Sequence, residues 1–104
     1  MSVSSNDNQI LEALQNQNRL VIDCRSRGEY SSGDAFNGAV NIPVDSLEQR
    51  LGEIGDKQRT VITYCAAGVR ASRAADILTK AGYSNVFSTT NADHLRSIAN
   101  RLPK

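Results

Sequence analysis

The chain has 104 residues, a formal net charge of +1, 39% hydrophobic and 22% charged residues. That length suits one domain with no second core, and it is long enough to bury a stable core without disulfide or metal staples. No run of Lys or Arg forms a stripe and no apolar stretch approaches the ~18 residues that span a bilayer, so nucleic-acid and membrane binding are not expected.

The first nine residues, Met1 to Gln9, are polar and lack the apolar segment of a signal peptide. The expected location is the cytoplasm, or the periplasm if a leader has been removed. Residues 1–6 are expected to be flexible. Asn6 and Asp7 offer caps for a helix over residues 7–16, where Ile10, Leu11 and Leu14 share a face. Leu20 to Cys24 reads as a buried strand, and residues 25–38 as a loop with one helical turn near Glu29. Ala39 to Ile42 is a second short strand, stopped by Pro43.

Asp45 is placed to cap a helix through Leu47 and Leu51 that ends near Gly52 or Gly55. Thr60 to Tyr64 is the clearest strand, rich in β-branched residues. A tight loop follows, then a helix over residues 71–81 with Gly82 just past its end. Asn85 to Phe87 forms a last strand, and a helix through Leu95, Ile98 and Leu102 closes the chain. Short apolar strands alternating with helices predict an α/β domain with a parallel four- to five-stranded sheet and helices on both faces.

In such sheets ligands bind beyond the carboxyl ends of the strands, and Cys65 stands there. Backbone N–H groups of Ala66 to Arg70 can curl into an anion nest, and the positive end of the next helix points at the same spot. Both effects stabilise a thiolate, pulling its pKa below the ~8.5 of a free cysteine. Gly68 supplies backbone freedom, and Arg70 closes the loop with a planar donor fork suited to an oxyanion. Ser72 can add a hydroxyl.

Cys65-Ala66-Ala67-Gly68-Val69-Arg70 resembles the six-residue active-site loop of the rhodaneses. Leu20 to Arg25 with Glu29-Tyr30 is similar to that family's Asp-x-Arg segment and its downstream Glu-Tyr or Glu-Phe. Gly38 to Pro43 is similar to its Gly-Ala-x-Asn-Ile-Pro, and Ala81 to Val86 to its Gly-Tyr-x-x-Val. The likeness spans residues 20–87 in register and is strongest to small stand-alone members. It implies a rhodanese-like fold and a sulfurtransferase that moves sulfur from thiosulfate or a similar donor to cyanide or a thiol, as a persulfide on Cys65. Residues 66–70 would bind the substrate, and an acceptor protein could take the sulfur. No cofactor and no metal are implied. The chain departs from the family pattern at Asp34, where a His is common, and at Thr89-Thr90-Asn91-Ala92, where a Gly-Gly pair is usual.

Other residues read more plainly. Asp23 accepts backbone N–H groups and Arg25 pairs with Glu29 in this reading. Cys24 ends its strand as Cys65 does, so a redox pair is conceivable, but it reads as a small packed side chain, turned by strand alternation toward the helices and away from the Cys65 cradle. Tyr64 packs in the core, His94 lies on the surface, and Arg73 either adds positive potential above the loop or lies on a solvated helix face. The competing function is a Cys-dependent phosphatase or arsenate reductase, which needs five residues between Cys and Arg to encircle a tetrahedral anion. Here four separate Cys65 from Arg70. A regulatory rhodanese-like binding module is a further alternative, and an intact Cys65 argues against it.

Overall fold

Alternating polar loops and short apolar runs place four parallel strands between two helical layers in the computed structural model, which describes residues 5–103. The elements are α1 (Asp7–Leu14), β1 (Leu20–Asp23), α2 (Arg27–Ser31), β2 (Val40–Asn41), a 3₁₀ segment (Val44–Glu53), β3 (Val61–Cys65), α3 (Val69–Lys80), β4 (Val86–Asn91) and α4 (Ala92–Ala99). The strand order is β2-β1-β3-β4, with every pair parallel. Among the described residues the sheet has four strands, and both faces are covered as expected.

Each face buries its own apolar cluster. Leu20, Ile22, Val61, Ala74 and Leu78 pack under α3 and the 3₁₀ segment. Ile10, Leu14, Ile62, Tyr64, Leu95 and Ile98 pack under α1 and α4. β1 therefore sends alternate side chains to opposite faces and is buried at all four positions, which is why its sequence is apolar without an in–out pattern.

Three expectations are corrected. Of the residues expected to be flexible, 1–4 lie outside the described part, but Ser5 and Asn6 are tied down. Ser5 Oγ accepts from Ser88 N–H at 3.0 Å, and Asn6 forms a reciprocal cap with Gln9 at 2.8 and 2.9 Å. The segment after β2 starts from Pro43 rather than an Asp45 cap, makes 3₁₀ turns and is broken by non-helical backbone at Arg50. β4 runs past the expected end at Phe87 through Ser88, Thr89 and Thr90 to Asn91, because pairing with β3 satisfies backbone groups there.

The topology also fixes where a site can form. From β1 the chain passes to β2 on one side, then crosses to β3 on the other. The carboxyl ends of β1 and β3 thus flank the point where the winding reverses, the crevice where open α/β sheets hold ligands. Cys65 ends β3 there.

Candidate active site

β3 delivers Cys65 to the sheet edge, and only three residues separate it from α3. To turn the chain that tightly Gly68 takes φ +100°, a conformation an L side chain rarely adopts. The turn brings Gly68 N–H to 3.0 Å and Ala71 N–H to 3.4 Å from Cys65 Sγ. Thr63 Oγ1 donates to the Ala71 carbonyl at 2.8 Å, which locks the first turn of α3 onto β3. Burial pushes the Cys65 thiol pKa up, but the N–H groups of Ala71, Ala67, Gly68 and Arg70 outweigh it. The thiol sits below its ordinary range. Of the N–H groups expected over residues 66–70, those of Ala67, Gly68 and Arg70 face the sulfur, and Ala71 joins them. Ala66, Ala67 and Val69 leave an open rim, with Val69 78% exposed. A shallow cleft of about 420 Å³ lies along Ala67, Gly68, Val69, Ser72, Arg73 and Asp76.

Arg70 does not present a free fork. Its Nη1 and Nη2 donate to Glu29 Oε1 and Oε2 at 2.6 and 3.0 Å. Glu29 is aimed by α2, whose capping box joins Ser26 N–H to Glu29 Oε1 at 3.1 Å and Glu29 N–H to Ser26 Oγ at 3.2 Å. The Arg70 guanidinium, with the Ser26 N–H behind it, draws the Glu29 pKa down to about 2. The expected Arg25–Glu29 pair is not formed. Arg25 folds back instead, with Nε at 3.0 Å from Asp23 Oδ1 and Nη2 at 2.8 Å from Asp23 Oδ2. The cause is burial: Asp23 is fully enclosed and needs a counter-charge more than the half-exposed Glu29 does.

Asp23 also accepts Arg25 N–H at 3.0 Å, as expected, and the Tyr64 hydroxyl at 2.8 Å. The same phenol oxygen accepts Phe36 N–H at 2.9 Å. Asn41 Nδ2 donates to the carbonyls of Asp23 and Arg25 at 3.0 and 2.9 Å. Burial competes with these bonds, yet Asp23 remains below the usual carboxylate range. Burial is also the main cause that moves the Tyr64 pKa up to about 12. One buried network therefore clamps the ends of β1, β2 and β3, and the residue before Cys65 belongs to it. Sequence reasoning placed Tyr64 in the core and missed its hydroxyl. A Tyr in an otherwise aliphatic strand, one strand away from an Asp-x-Arg, was the available signal.

Cys24 packs toward the helices as expected, but not away from Cys65. Both thiols lie in the cluster beneath α3, 1% and 2% exposed. Arg73 reaches Asp45 at 3.3 Å, and His94 Nε2 lies 2.8 Å from Asp7 Oδ1. Among the described residues no three His, Cys, Asp or Glu side chains gather in a metal-binding group. No helix among them is long and apolar enough to cross a membrane.

A backbone-cradled cysteine between a parallel strand and a helix, followed by an ion-paired arginine, defines a cysteine-loop α/β domain. The rhodanese-like domain profile matches residues 7–91, and the chain belongs to that family. It is 37% identical to the thiosulfate sulfurtransferase PspE of Escherichia coli strain K12 over 84 residues, which cover 80% of this chain and 75% of that one. It is 34% identical over 79 residues to a tRNA uridine(34) hydroxylase of Buchnera aphidicola, and spans only 25% of that protein's length. Among solved structures it is similar to an E. coli rhodanese with anions, with TM-score 0.64, 32% identity and coverage of 72% and 89%. The human single domain sulfurtransferase TSTD1 shares the fold, with TM-score 0.72, 21% identity and coverage of 99% and 100%.

Proposed function

We propose that the chain is a sulfurtransferase that takes sulfane sulfur from thiosulfate or a similar donor onto Cys65 and passes it to cyanide or a thiol, which a sulfur-accepting protein could supply. The observation that carries this reading is the Cys65 sulfur held by Gly68 and Ala71 N–H groups at the start of α3. The thiolate attacks the outer sulfur of thiosulfate, the donor S–S bond breaks, and sulfite leaves with the electron pair. The persulfide occupies the same N–H nest. Cyanide then attacks its outer sulfur, thiocyanate leaves, and the Cys65 thiolate is restored. The N–H groups that lower the Cys65 pKa favour the thiolate, so this reading needs no separate base.

Arg70 and Glu29 set the electrostatics of the rim. The carboxylate holds the guanidinium beside the loop and neutralises it, so an anionic donor meets a positive field made mainly by backbone N–H groups and the α3 terminus. A sulfonate that displaces Glu29 would take over the same two donors. The four-residue spacing between Cys65 and Arg70 and this engagement of Arg70 weigh against a phosphatase, whose arginine must encircle a larger anion. The chain spans only a quarter of the length of the Buchnera hydroxylase it resembles.

The test is the Cys65→Ser variant in the thiosulfate–cyanide assay. A serine hydroxyl stays protonated in the nest and cannot hold a persulfide. Thiocyanate formation is expected to fall below a few per cent of wild type, and retention of substantial activity would remove Cys65 from the mechanism.

A further inference from the structure

Strand register decides which side chains of β1 meet those of β3. Leu20 pairs with Val61, Ile22 with Thr63 and Asp23 with Tyr64, all in parallel. Cys24 N–H then donates to the Tyr64 carbonyl at 2.8 Å. One step further along both chains Cys24 stands beside Cys65. The alternation is in phase: Leu20, Ile22, Cys24, Val61 and Cys65 belong to the cluster beneath α3, while Val21, Ile62 and Tyr64 belong to the opposite one.

Neighbouring strands lie about 4.8 Å apart, within the Cα separation of about 4.4–6.8 Å that a disulfide accepts. Parallel Cβ vectors at that spacing must still converge by about an ångström. Both residues are placed to allow it. Cys24 lies just beyond the end of β1, and the β3–β4 register shifts between Thr63 and Cys65.

We infer that Cys24 is a resolving thiol, which condenses with an oxidised Cys65 to close an internal Cys24–Cys65 disulfide and spare the site from irreversible oxidation. The inference rests on the proposed reading of Cys65 as a reactive thiolate. The oxidant is a peroxide. The Cys65 thiolate sulfur attacks one peroxide oxygen, an S–O bond forms, the O–O bond breaks, and the departing oxygen takes a proton from solvent and leaves as water. Cys65 is now a sulfenic acid. Cys24 sulfur attacks it, the S–S bond forms, the S–O bond breaks, and the hydroxyl leaves with the Cys24 proton as a second water. Two thiols and one hydrogen peroxide thus give one disulfide and two waters.

The resting state keeps the two roles apart. Burial, and after it the charge on Cys65, push the Cys24 thiol far above its ordinary range, so it stays protonated and does not compete for a sulfur donor. Conversion of Cys65 to a neutral sulfenic acid removes the second of those causes, and Cys24 becomes a better nucleophile at the moment it is needed.

The experiment treats wild type, Cys24→Ala and Cys24→Ser with a several-fold excess of hydrogen peroxide, alkylates the remaining thiols, and reads intact mass and a non-reducing peptide map. Wild type is expected to lose the mass of two hydrogens, yield a Cys24–Cys65 peptide, and recover persulfide loading after dithiothreitol. Both variants are expected to gain two or three oxygens on Cys65 and lose loading for good. A wild type that over-oxidises Cys65 with Cys24 still free, at the rate of the variants, would overturn the inference. So would thiols that stay unreacted, or a disulfide that joins two molecules through Cys65. Thiosulfate loading of untreated protein, run in parallel, reports on the sulfur-transfer reading separately.

Discussion

Replacing Gly68 by Ala tests how the loop builds the thiolate. The added Cβ would meet Thr90 Cγ2 at 3.5 Å and Thr90 Cα at 3.6 Å, ordinary contact distances, so steric crowding contributes little. The cost comes from φ +100°, and a non-glycine residue held in such a region costs about 1–3 kcal/mol. For a chain of this size that corresponds to a Tm drop of roughly 5–20 °C. Two routes are open to the variant. It can keep the turn and show the full loss, or relax the turn and withdraw Gly68 N–H from Cys65 Sγ, now 3.0 Å away. The second route raises the thiol pKa, because one of the groups that holds it below the ordinary range is lost. Thermal unfolding reads the first, and the pH profile of Cys65 alkylation by iodoacetamide reads the second. In wild type alkylation is expected to stay fast as pH falls below the ordinary thiol range, and in the variant to decline earlier. Wild-type values in both assays would refute the link from Gly68 backbone to thiolate.

Arg70→Lys keeps the charge but loses the second parallel bond to Glu29, so kcat/KM for thiosulfate is expected to fall on the order of tenfold while the Tm changes little. An unchanged kcat/KM would show that the fork neither positions the loop nor meets the donor. Tyr64→Phe leaves the buried Phe36 N–H unpaired and removes one donor from Asp23, which is expected to cost about 1–3 kcal/mol in urea unfolding. A cost below that range would mean that Arg25 alone satisfies Asp23.

The sequence carried the strand–loop–helix unit around Cys65 because its signals are local: a β-branched run, a thiol, a glycine and an arginine within a few residues. The chain order of α1, β1, β3 and α3 was legible for the same reason. Long-range pairings were not. Glu29 sits four residues from Arg25, which suggested a pair, but the fold brings it to Arg70, 41 positions away. Ser88 to Asn91 has the composition of a loop, and only β3 alongside makes it strand. The phase of β1 against β3, which turns Cys24 and Cys65 to one face, is likewise a tertiary fact.

Sulfur transfer by this chain requires one covalent event at Cys65. Intact mass after incubation with thiosulfate measures it directly. One added sulfur per chain is expected, mapped to the Cys65 peptide, removed by cyanide with stoichiometric thiocyanate, and absent from Cys65→Ser. An unchanged mass, or sulfur that persists in Cys65→Ser, would contradict the account.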